Sequence, residues 1–532
     1  MVRRPMTWLR RQQADRRTRL QISRVEDYLR VLWGDNNSNE PPVIFFNAST
    51  RISLLSMNAV FNLMASWAIR SRGVPAWYAV CQRGMVQCML GTNQNQYSIR
   101  PPCERCVRFN NNIYPAERVL PLKIDMGFAK DLIQQLEEKS LIQLFNLEHE
   151  GLNLGELCLP SLRWALRRHN LPDDEATRGL FLQYIVSAVS LARQFNELYE
   201  RLKPCAVVIF NGITYPEAVA RAVAQQGEIP VITHEVGLRP YSAFFTHHLS
   251  TFREVEIPSS LSMGQKENRR LDAYLEERFR GRFTMAGISF WPRMQSLPET
   301  LLEHMNQHKQ TVAVFTNVIF DTSQVHANTL FSDMFAWLDD LKEVIKRHSE
   351  TLFVIRAHPD EDRPGKESRE SVTEWILSNQ LTSLPNVVFF SPSEYISSYE
   401  LIRKAKCTLV YNSSIGLEAS ILGCPVLCAG RARYTQIPTV FFLQSRQAYL
   451  KQLETFLELD MIEVPSEHVL NARRFLYYEL FHASLDFSPY MQAYPAAPGN
   501  VALQSFDPAL IKSAQEMEVL RQGILRGHQF SL

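Results

Sequence analysis

Apolar and polar positions along the 532-residue chain fall into two stretches in which short apolar runs alternate with amphipathic segments. The first opens with Val43-Ile44-Phe45-Phe46-Asn47, continues through a helical stretch from Leu54 to Arg70, and reaches a second apolar run from Ala76 to Val80. Strand, helix and strand in this order predict a β-α-β unit, because parallel strands need a crossover of about this length. Residues from about Ile124 to Gln194 carry Leu, Glu, Gln and Arg at three-to-four spacing and read as a largely helical insertion. The alternation resumes with the run Ala206 to Phe210, a helix over Pro216 to Gln225, and the run Pro230 to Thr233. Around Phe283 to Pro298 the period dissolves among Trp291-Pro292 and Leu297-Pro298, which puts the domain junction there.

Beyond the junction a second series begins, with runs at Thr311 to Phe315, Leu352 to Arg356, Asn386 to Phe390, Cys407 to Val410 and Pro425 to Leu427. Helices are expected between them, over Thr329 to Arg347, near Ser397 to Lys404, and from about Ile415. The expected fold class is therefore α/β, with two Rossmann-like doubly wound domains facing a cleft and a helical insertion in the first. By fold-level analogy this resembles the GT-B glycosyltransferases and the sugar-nucleotide 2-epimerases. The expected segments are a basic leader helix over 1–40, a first domain over 41–295, a second over 300–465, and C-terminal helices over 466–532 that pack back on the first.

Composition narrows the partners. Apolar residues make up 45% and charged residues 21%, an ordinary globular balance that excludes a wholly disordered chain. Lys plus Arg (57) nearly equals Asp plus Glu (55), so no molecule-wide field draws the protein to nucleic acid. The one strong basic patch lies at the start, where Arg3, Arg4, Arg10, Arg11, Arg16, Arg17 and Arg19 surround Trp8, Leu9 and Leu20. A solvated or frayed leader helix and an anionic membrane surface are both compatible with it. No apolar run of about 18 residues and no signal-peptide core is present, so a cytoplasmic protein is expected. The 21 glycines include neither GxGxxG nor GxxxxGK[ST], so any phosphate must be held without a Gly-rich loop.

In open α/β sheets ligands sit at the carboxyl ends of the strands, so the polar residues after each apolar run are the candidates. Ser413-Ser414-Ile415-Gly416 would offer hydroxyls and free amides at a strand-to-helix turn, a phosphate cradle, with Glu418 one turn on to accept from ribose hydroxyls. His358, restricted by Pro359, is positioned to donate to a phosphate, and Thr316-Asn317 to add contacts. In the first domain Glu235 or His234 is placed to deprotonate an acceptor hydroxyl. Asp360-Glu361-Asp362 reads as a solvated face rather than a metal site. Four of the nine cysteines, Cys81, Cys88, Cys103 and Cys106, form C-x6-C-x14-C-x2-C. This suits a structural tetrahedral zinc site, or a set of buried or free thiols.

His358-Pro359, the string Ser413-Ser414-x-Gly416-Leu417-Glu418-Ala419 with Gly423-x-Pro425-Val426, and Glu235-x-Gly237-x-Arg239-Pro240 resemble the bacterial capsule polysaccharide biosynthesis proteins. That family includes β-Kdo transferases and is distantly similar to bacterial sialyltransferases. The resemblance implies a base in an acidic-acidic-Gly motif, a phosphate contact from the HP motif, a second from the Ser-Ser motif, and a CMP-activated acidic sugar as donor. Val236 stands at the second acidic position, and Arg431-Ala432-Arg433-Tyr434 departs from the family's Gly-x-x-Phe-Tyr ending. The expected function is a glycosyltransferase of surface polysaccharide assembly, with a glycan or glycolipid acceptor, no cofactor required for catalysis, and peripheral contact with the inner membrane face. The alternatives are a sugar-nucleotide 2-epimerase and a non-catalytic assembly protein on the same fold.

Overall fold

A computed structural model describes residues 3–33, 40–48, 52–282, 284–285, 288–289, 294–365 and 367–532. Residues 34–39 and the Trp291-Pro292 part of the expected junction lie outside the described residues, as do the side chains of Arg3 and Arg4. In the first sheet, β1 (Val43–Phe46), β2 (Ala76–Cys81), β3 (Val119–Leu122), β4 (Ala206–Phe210) and β5 (Val231–Val236) run parallel in the order β3-β2-β1-β4-β5. β6 (Ser242–Thr246) returns antiparallel beside β5. Val43 and Phe45 enter one core and Ile44 and Phe46 the other, as the two-residue period of a strand buried on both faces requires. The segment read as an insertion is a full layer of the domain. Its helices Leu154–Leu166 and Glu175–Leu202 cover the sheet face that carries Ile44, Phe46, Val207 and Ile209.

In the second sheet, β7 (Gln310–Phe315), β8 (Thr351–Arg356), β9 (Val387–Phe390), β10 (Cys407–Val410), β11 (Val426–Cys428) and β12 (Phe441–Phe442) are all parallel, in the order β9-β8-β7-β10-β11-β12. β12 pairs through only two residues of the apolar run Val440 to Leu443. Strand order reverses between β1 and β4 in one sheet and between β7 and β10 in the other, so each domain has one topological switch point.

The chain passes between domains at other places than the loss of period suggested. The helix Gln265–Phe279 buries Leu271 and Leu275 with Ala313 and Val354, so it belongs to the second domain although it precedes residue 283. An amphipathic helix shows which face it buries but not against which sheet, and that moves the expected boundary. The helix Ser466–Tyr478 also lies on the second domain, through Ala472, Phe475 and Leu476. A π-helical turn at Glu479–Ala483 follows, and β13 (Leu485–Asp486) then joins the first sheet beside β6. The last helix, Gln515–Arg526, packs Met517, Leu520 and Ile524 into the core built on Met57–Arg70. At the crossing Glu479, 2% exposed, pairs with Arg253 of the first domain and lies 3.7 Å from Arg433 of the second.

The N-terminal helix, Arg3–Trp33, is docked rather than frayed. Ala14, Thr18, Gln21, Ile22, Val25 and Leu29 are buried, and Glu26 receives Arg70 at 2.7 Å twice and the Trp67 indole at 2.9 Å. The leader expected over 1–40 is therefore corrected to an integral element, fixed by contacts with residues far along the chain. Trp8, Leu9 and Leu20 are 60%, 51% and 54% exposed, on the side that also exposes Arg16 and Arg19.

Candidate active site

The first switch point holds a cavity of about 270 Å³. Asn47 follows β1, Asn211 follows β4, and Glu235 projects from β5. Thr322, from the loop after β7, also lines it, so the cavity lies between the domains. Glu235 Oε1 accepts from the Val236 amide at 2.9 Å and from Asn58 Nδ2 at 3.4 Å, and Oε2 accepts from Asn211 Nδ2 at 3.5 Å. Asn211 is itself oriented, because its Oδ1 accepts from the Ile213 amide at 2.9 Å. Burial outweighs these bonds and raises the Glu235 carboxyl above the ordinary range, with Asp321 of the second domain adding to the rise. Deeper in, Glu217 accepts from the Ala48 amide at 3.0 Å and from the Thr214 hydroxyl, which ties the ends of β1 and β4 together.

His234 does not share this place. It is the neighbour of Glu235 in β5, and neighbours in a strand face opposite sides of the sheet. Its ring is wholly buried among Phe61, Phe210 and Phe245, with both nitrogens unpartnered, and burial lowers its pKa to about 3. The expectation that His234 serves as an alternative base is corrected by this placement. Gly237 is explained by close approach: a Cβ there would meet Ser242 Oγ at 2.4 Å. Arg239 donates to the Ser484 carbonyl at 2.9 Å, so this end of the string anchors the returning C-terminal segment.

The second switch point holds a cavity of about 90 Å³ lined by Thr316, Arg356, His358, Ser413 and Ser414, among others. His358 Nδ1 accepts from the Asp360 amide at 3.1 Å, which leaves the proton of the neutral ring on Nε2. Burial lowers its pKa, so the neutral donor form holds near neutrality. Arg356, 5% exposed at the end of β8, donates to the Ser398 hydroxyl, and burial lowers it only to about 10, so it stays cationic. The turn bearing Ser413 is fixed by the Tyr434 hydroxyl, which donates to the Ser413 carbonyl at 2.7 Å. Gly416 permits that approach, since a Cβ there would lie 2.5 Å from the Tyr434 oxygen. The helix that follows, Ile415–Ile421, has only seven residues, so the hydroxyls and Arg356 are stronger anion donors here than its macrodipole.

Two further expectations change. Glu418 is 4% exposed; its Oε1 receives Arg278 at 2.6 Å and its Oε2 the Tyr399 hydroxyl at 2.5 Å. Glu418 reaches the cavity wall, but one oxygen is held in an internal ion pair and the other by a tyrosine hydroxyl, which corrects the ribose role. Asn317 Oδ1 accepts from the Asn412 amide at 3.3 Å and clips the ends of β7 and β10 together instead of lining the cavity. The sequence reading missed Arg356, Asn58 and Asn211. Arg356 was visible as a cation ending the strand two residues before His358. Asn58 carries no signal of its own, because it comes from the first turn of a helix. Asp321 connects the halves: its carboxylate raises the pKa of both Glu235 and His358.

Beside the Glu235 cavity, Cys81, Cys88, Cys103 and Cys106 line a second, smaller cavity. Among the described residues no group of three or more His, Cys, Asp or Glu side chains is placed so that it could hold a metal ion as it stands.

These two sheets define an α/β protein of two Rossmann-like domains facing a cleft. Residues 295–438, which carry His358, Ser413 and Ser414, match the family described as "Capsule polysaccharide biosynthesis protein". Among solved structures, the chain is similar to the Thermosulfurimonas dismutans KpsC β-Kdo 2,4 transferase at 11% identity, covering 56% of this chain and 84% of that one, with a TM-score of 0.34. The KpsC β-Kdo 2,7 transferase of the same organism gives 14% identity, 58% and 85% coverage, and a TM-score of 0.31. A UDP-GlcNAc 2-epimerase from Neisseria meningitidis gives 13% identity, 82% and 98% coverage, and a TM-score of 0.25. No curated protein matches the chain in sequence. Among the described residues no helix is long and apolar enough to cross a membrane.

Proposed function

We propose that the protein is a glycosyltransferase of capsular or related surface polysaccharide assembly, which moves a sugar from a nucleotide donor to a hydroxyl of a glycan or glycolipid. The observation that carries this reading is the placement of Glu235 at one switch point, in a cavity that Thr322 of the opposite domain helps to close, with Arg356, His358, Ser413 and Ser414 at the other. In the proposed reaction the acceptor oxygen bonds to the anomeric carbon as the bond to the donor phosphate breaks. The acceptor proton passes to Glu235, and the leaving phosphate keeps the bonding pair. The Arg356 cation, the His358 Nε2 proton and the two serine hydroxyls offset its charge, so the chemistry calls for no catalytic metal. An acidic sugar carried by CMP is the favoured donor, as the resemblance of the His358-Pro359 and Ser413-Ser414 motifs to the capsule family implies. The exposed Arg10, Arg16, Arg17 and Arg19 support work at the inner face of the cytoplasmic membrane.

Thermal-shift measurements with CMP, UDP, GDP and dTDP test the donor half, since a ligand at ~100 times its Kd adds about 2.7 kcal/mol. One nucleotide is expected to raise Tm in the wild type and not in His358→Ala. No shift with any of them defeats the reading. Turnover of donor only when acceptor is present supports transfer. Conversion of donor alone would make the protein an epimerase, and nucleotide binding with no turnover would make it a non-catalytic assembly protein.

A further inference from the structure

Four cysteines beside the Glu235 cavity converge on one space. Cys81 ends β2, Cys88 lies in the loop that follows, and Cys103 and Cys106 occupy the first turn of the helix Cys103–Asn110. Together they line a cavity of about 30 Å³, room for a single ion or water. Two of the sulfurs carry a second feature that spacing alone does not show. The Gly84 amide donates to Cys81 Sγ at 3.4 Å, and the Gly91 amide donates to Cys88 Sγ at 3.2 Å. Each is a Cys-x-x-Gly turn whose amide, three residues on, is aimed at the sulfur. Such bonds offset part of the rise that burial imposes on both thiols, because an N–H donor binds a charged acceptor more strongly.

We propose that Cys81, Cys88, Cys103 and Cys106 bind one Zn²⁺ ion as a structural site. The ion suits this set because four sulfurs satisfy a tetrahedral d¹⁰ cation, and the C-x2-C pair in one helical turn supplies two ligands at once. On binding, four S–H bonds break and four Zn–S bonds form, four protons pass to water, and no electron is transferred. The site then carries two net negative charges, which the two glycine amides and Arg83, itself paired with Glu104 at 3.3 Å, offset in part. The four thiols are not placed to hold an ion as they stand, so binding requires them to close around it. Cys88 and Leu90 also line the Glu235 cavity, so the ion braces one wall of the proposed acceptor site.

Metal analysis of the full chain, purified without chelator, is the test, with Co²⁺ substitution as a second readout. About one zinc per chain is expected, together with the intense visible absorption of tetrahedral cobalt thiolate after exchange. The Cys103→Ser/Cys106→Ser variant should lose both the metal and the cobalt spectrum, while Cys205→Ser keeps them. Should the double variant fail to fold, the metal content and cobalt spectrum of the wild type still decide. Zinc below ~0.2 per chain after exposure to excess Zn²⁺, with no cobalt absorption, overturns the proposal. Disulfides among these four cysteines in the native protein overturn it as well.

Discussion

Arg278 and Glu418 meet at 2.6 Å inside the second domain, 140 residues apart in the chain, with side chains 9% and 5% exposed. The pair fastens the helix Gln265–Phe279 to the turn that presents Ser413 and Ser414. Glu418→Gln removes the carboxylate from a buried guanidinium, a change that costs about 3–5 kcal/mol in such pairs. A marked fall in Tm is expected, while nucleotide affinity measured well below the transition stays within about threefold of wild type, under 1 kcal/mol. Abolished nucleotide binding at unchanged Tm would return Glu418 to the donor site.

Glu235→Gln is expected to lower turnover by at least ~10²-fold and to leave the nucleotide-induced Tm shift intact, as removal of a general base does. A base acts in its ionised form, so activity rises with pH through the Glu235 pKa. Burial has raised that pKa, so the acid limb of kcat/KM lies above the ordinary carboxylate range. Asp321 adds to the rise, and Asp321→Asn should therefore move the limb to lower pH. A limb that does not move in that variant would separate Asp321 from Glu235.

His234→Phe should retain transfer activity and match or exceed the wild-type Tm at neutral pH, because two unpartnered buried nitrogens are replaced by an apolar ring. Its folded pKa of about 3 lies below the ordinary histidine value of 6.5. The unfolded state therefore binds the extra proton first, and this histidine's share of stability is lost as pH falls from 6.5 toward 3. The variant should show a shallower loss of Tm over that window. Loss of activity without loss of stability would give His234 a chemical role.

Vesicle sedimentation checks the outward face of the N-terminal helix. Binding to vesicles rich in anionic lipid, absent with neutral lipid and weakened by salt, is expected, at about 1 kcal/mol per basic residue close to the surface. Arg16→Glu with Arg19→Glu should remove most of it, since both side chains are exposed beside Leu9 and Leu20. Equal sedimentation with neutral and anionic vesicles would count against a charge-directed contact.

The apolar runs of this chain determined a good deal by themselves. Strands buried on both faces read as unbroken runs, so Val43 to Phe46, Ala206 to Phe210 and Leu352 to Arg356 were legible as parallel strands, and the polar residues past Arg356, Val410 and Thr233 marked His358, Ser413-Ser414 and Glu235. Adjacency in sequence, however, does not say which way a side chain points or what lies across the cleft. Glu235 and His234 differ by one position and sit on opposite faces of β5. Glu418, one turn from Ser414, is claimed by Arg278 from a helix that the sequence assigned to the other domain. The tertiary structure alone decided these roles, because a buried charge or imidazole takes its state from partners supplied by distant segments. The same holds for the four cysteines: their spacing suggested a metal, and only the fold gathered them on one cavity and aimed two glycine amides at their sulfurs.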